Sequence, residues 1–170
     1  MSFTTREWWA LIHGMGFGAL FLLAFAGGFA GLYSLRPDLV TAAGVQERMR
    51  RLRFGVVAMA AAAWGTVITG SWVVYPWYRE DIPSSPRSTL LADASTADWH
   101  DFGMEWKEHI AWISPILATA VAFIVVYYGT NLIRHDRVRR TAMTLFVLSF
   151  ACALVAGAFG AFITKVAPVK

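Results

Sequence analysis

Long uninterrupted runs of apolar residues dominate the chain and indicate its fold. Four stretches, residues 8–35, 54–78, 110–133 and 141–164, are apolar almost throughout. Each is longer than the roughly 20 residues with which a helix crosses about 30 Å of hydrocarbon. Strands of a membrane barrel alternate apolar and polar positions, and these runs do not. The pattern predicts an all-α integral membrane four-helix bundle that forms a single domain over residues 1–170.

Composition agrees with a lipid environment. The chain is 57% hydrophobic and 15% charged, and its mean hydropathy is +0.51. A soluble domain of this size needs more polar surface. The single cysteine, Cys152, lies in the fourth stretch, so the chain has no internal disulfide or thiolate cluster. The pI near 9.6 comes from arginines beside the apolar stretches, which indicates membrane orientation and not nucleic-acid binding.

The distribution of arginine predicts the orientation of the bundle. The connections after the first and third stretches are rich in arginine, including Arg50, Arg51 and Arg53 in the first connection and Arg139 and Arg140 in the second. The long connection 79–108 is mixed and acidic. The positive-inside rule therefore predicts cytoplasmic first and third connections, with both termini and the loop 79–108 outside. We expect a multi-pass protein of the cytoplasmic (inner) membrane.

The first apolar stretch is expected to remain in the mature protein. It begins just after Arg6 and Glu7, has no basic segment in front of it, and is about twice as long as the apolar core of a signal peptide.

Two histidines are the strongest candidates for chemistry, because an ionisable residue in a membrane span is a functional hypothesis by default. His13 lies inside the first stretch and His109 at the mouth of the third. Both stretches run inward from the outer face, and in a bundle packed in chain order they lie diagonally. Facing helices often hold a metal or haem between them, so we expect His13 and His109 to ligate the iron of a haem b.

Neighbouring residues could complete such a site. Tyr75, Tyr78 and Arg79, at the outer end of the second stretch, could bind the haem propionates, and His100 in the outer loop is an alternative iron ligand. Other interpretations stay open. The histidines could serve packing or interfacial roles, a quinone or proton site could use one of them, or copper could bind, although copper favours a denser ligand set.

The segment 69–79, with Pro76 and four aromatic residues, predicts a helix stop within an aromatic belt. It could also line a quinone pocket. The loop 79–108 is too long for a bare turn, and we expect it to dock an extracytoplasmic electron carrier or subunit, or to cover the bundle.

Several classes of function are excluded by what the sequence lacks. It has no phosphate loop, dinucleotide fingerprint, nucleophile elbow or zinc-protease motif. No Asp, Glu, Lys or Arg lies in the middle of the four stretches, which argues against ion pumps and proton-driven transporters.

With four apolar stretches and the candidate ligands His13 and His109, the chain resembles the small four-helix cytochrome b-type membrane subunits of respiratory and other redox complexes. It departs from the two-haem members in lacking a histidine pair near the inner face. The resemblance implies a haem b near the outer face that passes electrons between a membrane quinone and an extracytoplasmic redox partner. The alternative is a cofactor-free structural or assembly subunit of a respiratory or photosynthetic complex.

Overall fold

A computed structural model describes residues 2–168 of the chain, and in that range it is helical with no strand. We number the helices α1 (Thr5–Tyr33), α2 (Ala43–Tyr78), α3 (Pro86–Leu91), α4 (Trp99–Arg134) and α5 (Asp136–Val166). The four long helices are each long and apolar enough to cross a membrane. The predicted all-α membrane bundle is confirmed, and the protein is a multi-pass membrane protein.

Neighbouring long helices are antiparallel and pack in a ring. Helix α1 contacts α2 and α5, and α4 contacts the same two helices, so α1 and α4 lie across the bundle from each other. The main core lies between them and includes Phe21, Met59, Val121 and Phe146. At mid-depth two buried serines join α4 to α5, because Ser149 Oγ donates to the Ser114 carbonyl at 2.8 Å.

One end of the bundle carries the loop between α2 and α4, and we call it the long-loop end. Arg6 at the start of α1 donates two hydrogen bonds, of 2.8 and 2.7 Å, to the Glu80 carboxylate just after α2. The Arg6 guanidinium also lies over the Trp77 ring, 5.6 Å from its centroid. The beginning of α1 is thereby fastened to the end of α2.

The opposite end, which we call the arginine end, holds the α1–α2 and α4–α5 connections. Arg139 is buried there, donates to the Tyr33 carbonyl at 3.1 Å and pairs with Asp136. The α-helical part of α4 ends at Tyr128. Gly129 follows with a φ of +52°, a conformation that side chains with a Cβ rarely adopt, and begins the 3-10 turn Gly129–Arg134 that leads to α5.

The helices extend beyond the predicted spans 8–35, 54–78, 110–133 and 141–164. Helix α2 has 36 residues, which at about 1.5 Å per residue is far longer than a bilayer is thick. Its charged first turns, with Glu47, Arg50 and Arg51, therefore project from the lipid at the arginine end. Helix α4 begins at Trp99, so the predicted loop 79–108 is shortened to residues 79–98. Hydropathy ends a span at the first charges, whereas the helix continues through them.

The remaining loop is compact. Ser85 caps the short helix α3, because its Oγ accepts a hydrogen bond from Ser88 N at 3.2 Å, and Pro86 begins the helix. Leu90 of α3 is fully buried against the bundle. Next, Asp93 accepts hydrogen bonds from the backbone and hydroxyl of Ser95, which hold the pKa of its carboxyl below the usual range.

Candidate functional site

Three of the four long helices depart from α-helical geometry at the long-loop end. The backbone is π-helical over Ile12–Ala19 in α1, Gly70–Val74 in α2 and Trp99–Met104 in α4. Such segments are rare and occur frequently at functional sites, because they widen the helix and redirect its side chains. Their convergence at one end of the bundle marks this end as the candidate site.

A buried hydrogen-bonded chain connects α2, α3 and α4 at this end. Tyr78 and His100 are 3% and 6% exposed, and the Tyr78 hydroxyl lies 2.8 Å from His100 Nδ1. Arg87 Nε donates to His100 Nε2 at 3.3 Å. Because a guanidinium has no acceptor, Nε2 must accept and Nδ1 carries the hydrogen that is donated to Tyr78. Both ring nitrogens are thus engaged, which leaves His100 no free nitrogen for a metal.

A second polar group surrounds Glu108 on α4. The Tyr75 hydroxyl lies beside the Glu108 carboxylate, and Glu108 Oε1 is buried without a hydrogen-bond partner in the described chain. Arg79 lies over the Tyr75 ring, 5.3 Å from its centroid, and 3.8 Å from Glu105. Buried carboxylate oxygens are normally satisfied, so Glu108 retains an unused acceptor. The predicted residues Tyr75, Tyr78 and Arg79 therefore contact protein groups.

Lys107 extends into the bundle from the same turn of α4. Its alkyl chain crosses Gly160 of α5 so closely that a Cβ on that glycine would lie 3.0 Å from Lys107 Cε. The sequence predicts Lys107 and Glu108 in the loop 79–108, whereas the structure places both on α4. The signal that could have found them is helical spacing, because the buried residues His100, Gly103 and Met104 continue the inward stripe of α4 towards the N-terminus.

His13 lies between α1 and α2. Its Nδ1 donates to the Thr66 carbonyl at 2.8 Å, and its ring covers Gly70 so tightly that a Cβ there would lie 2.7 Å from His13 Cε1. Nδ1 is therefore occupied by a backbone carbonyl and Nε2 is the nitrogen left over, which is the arrangement of many metal-ligating histidines.

His109 makes the same kind of hydrogen bond but faces the other way. Its Nδ1 donates to the Glu105 carbonyl at 2.6 Å, and the residue is exposed. It follows Lys107 by two positions, which is about 200° around the helix, and it shares its stripe with the exposed Trp106 and Ile113. Because Lys107 points into the bundle, His109 points out of it.

The structure does not bring the predicted ligand pair together. His13 packs on α2, whereas His109 lies on the outward stripe of α4, so one chain does not present both Nε2 atoms to a single iron. His100 does not substitute, since Arg87 and Tyr78 engage its nitrogens. In the described residues, no group of three or more His, Cys, Asp or Glu side chains could hold a metal ion. Haem ligation by the His13 and His109 of one chain therefore does not fit this arrangement, and haem b stays a prediction.

An aromatic cleft opens between α4 and α5 beside these polar groups. It has a volume of about 260 Å³ and is lined by Asp98, Trp99, Phe102, Gly103 and Phe159. Gly103 forms its floor, where an added Cβ would touch Trp99 and Phe159 at 3.4 and 3.6 Å. Lys107 lies one helical turn deeper than Gly103, and Asp98 is exposed at the opposite, outer edge. The cleft is therefore apolar along its length, and Asp98 is the charged residue among those that line it.

Comparisons with protein-family models, with curated proteins and with solved structures found no match. The function must therefore be argued from the chemistry of the long-loop end itself.

Proposed function

We propose that this protein is a membrane subunit of a quinone-linked redox complex and that the aromatic cleft at its long-loop end binds the quinone ring. The observation that carries the proposal is the cleft of about 260 Å³ between α4 and α5, lined by three aromatic rings and with exposed Asp98 at its outer edge. That volume is just below the range of about 300–1,000 Å³ for drug-sized ligands. It suits a ring headgroup whose isoprenoid tail stays in the lipid.

The lining residues suit the reduced form of such a ring. A quinone carries carbonyl oxygens at opposite ends, and a quinol carries hydroxyls at the same positions. The Asp98 carboxylate would accept from a quinol hydroxyl at the outer end of the cleft. Trp99, Phe102 and Phe159 supply ring faces for stacking. Exposed Asp98 would also pass a quinol proton to water.

The proposal includes the orientation of the protein in the membrane. With the arginine end in the cytoplasm, the cleft opens at the outer face of the cytoplasmic membrane. Electrons from a bound quinol would pass to an extracytoplasmic carrier or subunit docked on residues 79–98. The proposal therefore keeps the predicted electron-transfer role and relocates its site from the histidine pair to the cleft.

A binding titration tests the proposal. Purified protein in mild detergent is titrated with a short-chain ubiquinone, and quenching of tryptophan fluorescence is followed. We expect saturable quenching, because Trp99 lines the cleft. Gly103→Leu, which fills the cleft floor, should abolish saturation, whereas Gly27→Leu, at an exposed helical glycine with open space around it, should leave it unchanged. No saturation with the native protein, or equal saturation in both variants, would refute the proposal.

A haem b is a second candidate, favoured by the hydrogen bond of His109. A backbone carbonyl accepts its Nδ1 hydrogen, as in many iron-ligating histidines, and Nε2 is the nitrogen left over. Because His109 faces outward, such a haem would lie between this chain and a neighbouring subunit. When bound, the group would supply a one-electron carrier, and His109 would be the ligand from this chain.

A reduced-minus-oxidised visible spectrum with a pyridine haemochrome assay tests this candidate. A b-type signal lost in His109→Ala, together with dissociation of the subunits, would support a haem at an interface. A flat spectrum from folded protein that still saturates with quinone would eliminate the haem and leave the quinone site. A flat spectrum with no quinone binding would favour a structural or assembly subunit.

A further inference from the structure

A second cavity lies at the arginine end, far from the aromatic cleft. This groove has a volume of about 450 Å³ and is lined by Gln46, Met49, Arg50, Arg53 and Thr130. It lies between the first turns of α2 and the end of α4. Arg53 directly precedes the apolar stretch 54–78, and Thr130 lies near the end of the stretch 110–133. The groove is therefore at the depth where lipid phosphates meet hydrocarbon.

Arg53 extends from α2 to the backbone of α4. Its guanidinium lies directly over Gly129, where an added Cβ would overlap Nη2. The acidic residue nearest to it in sequence, Glu47, is already shared by Arg50 at 2.8 Å and Arg51 at 2.7 Å. Residues 47–53 contain four arginines and one glutamate, so the groove has surplus positive charge. An Arg fork of this kind recognises phosphate oxygens in bidentate fashion.

An apolar wall continues from the groove into the membrane. On α2, Val57 lies one turn beyond Arg53, and on α4, Val126 lies in the last α-helical turn before Gly129. Both valines are 49% exposed, and they flank the seam between the two helices. The groove thus combines cationic side chains with an exposed apolar surface that continues towards the middle of the bilayer.

We propose that this groove binds one anionic phospholipid, with the phosphodiester against Arg53 and an acyl chain along the Val57–Val126 seam. Basic pockets between membrane helices bind anionic headgroups in this way. The Val57–Val126 seam favours a lipid over free phosphate, because free phosphate has no apolar chain that could occupy the seam. The inference does not depend on the quinone site.

The test compares two arginines of the same helix turn. Binding of phosphatidylglycerol and of phosphatidylcholine to detergent-purified protein is measured by native mass spectrometry. We expect Arg53→Gln to weaken phosphatidylglycerol binding about fivefold, the effect of one cation near the lipid surface. Arg51→Gln, whose side chain is 79% exposed and paired with Glu47, should change it less than twofold, and phosphatidylcholine binding should not respond to either.

A second variant tests whether the acyl chain contributes to binding separately from the headgroup. Val57→Trp obstructs the seam without changing the charge, and it should weaken phosphatidylglycerol binding while inorganic phosphate competes poorly. Equal losses in Arg53→Gln and Arg51→Gln would show only diffuse surface attraction and would overturn the proposal. It would also be overturned if inorganic phosphate displaced the lipid readily and Val57→Trp had no effect, since the groove would then recognise phosphate alone.

Discussion

At the scale of single residues, the His100 imidazole fixes the long loop to the bundle. Its Nδ1 hydrogen is accepted by the Tyr78 hydroxyl, and its Nε2 accepts from Arg87. The three side chains come from α2, α4 and α3, so one imidazole joins three elements. Because Tyr78 and His100 are buried, water cannot replace a lost partner easily.

Tyr78→Phe should therefore destabilise the protein by about 1–3 kcal/mol, the cost of leaving a buried donor unsatisfied. The measurement is the free energy of unfolding in detergent. Tyr127→Phe serves as the control, because that tyrosine is 72% exposed, and it should change the free energy of unfolding by less than about 0.5 kcal/mol. Equal effects of the two changes would show that the Tyr78–His100 bond does not stabilise the fold.

The histidines show what could be predicted at this scale and what could not. Hydropathy places His13 and His109 at similar ends of diagonal helices, and the structure agrees with that. Hydropathy does not give the rotation of each helix about its axis. In the structure this rotation directs His109 outward and Lys107 inward. The inward stripe of α4 is visible only when the helical spacing is followed upstream of residue 110, through charged positions.

At the scale of elements, the turn between α4 and α5 depends on Gly129. Its φ of +52° and ψ of −137° lie in a region that is essentially restricted to glycine. The Arg53 guanidinium also covers its Cα. Backbone conformation and the close approach of Arg53 both require the absence of a side chain here.

Gly129→Ala should lower the free energy of unfolding by about 1–3 kcal/mol, since the backbone must leave this conformation or remain strained. The thermal midpoint in detergent measures the effect. Gly55→Ala, at a helical position of α2 with no neighbouring atom within 4 Å of the added Cβ, should be neutral or stabilising by up to about 1 kcal/mol. If Gly129→Ala matched this control, the turn would not depend on glycine.

The four apolar stretches predict helices because each is long enough, as a helix, to cross a bilayer. The helix ends could not be predicted in this way, because charged residues end an apolar stretch without ending the helix. Trp99–Met104 illustrates this, because its π-helical backbone carries His100 and the cleft floor Gly103 within what the sequence predicts to be loop. Departures from α-helical geometry have no hydropathy signal.

At the scale of the whole molecule, the bundle has two different ends. Arg6–Glu80 and the Tyr78 chain close the long-loop end, whereas Arg50, Arg53 and Arg139 surround the other. Between them, α1 is the least enclosed helix, with 11% of its apolar window buried against 39% for α2. Its outer face is thus available to lipid or to a neighbouring subunit.

The proposed orientation predicts which end a membrane-impermeant maleimide reaches in intact cells. In a Cys152→Ser background, Ser84→Cys in the long loop should be labelled directly. Arg137→Cys at the arginine end should be labelled only after permeabilisation, because arginine-rich connections stay in the cytoplasm. Both positions are exposed, so accessibility within the fold is matched. The reverse pattern would place the cleft on the cytoplasmic face.

The central claim is that a quinone ring lies between α4 and α5 at the long-loop end. Photolabelling with an azido-quinone, followed by peptide mapping, tests it most directly. The account predicts that the label appears on the peptide that contains Trp99 and Phe102 or on the one that contains Phe159, and that excess unlabelled quinone prevents it. Label confined to the arginine end, or label on the cleft peptides that excess quinone does not reduce, would contradict the account.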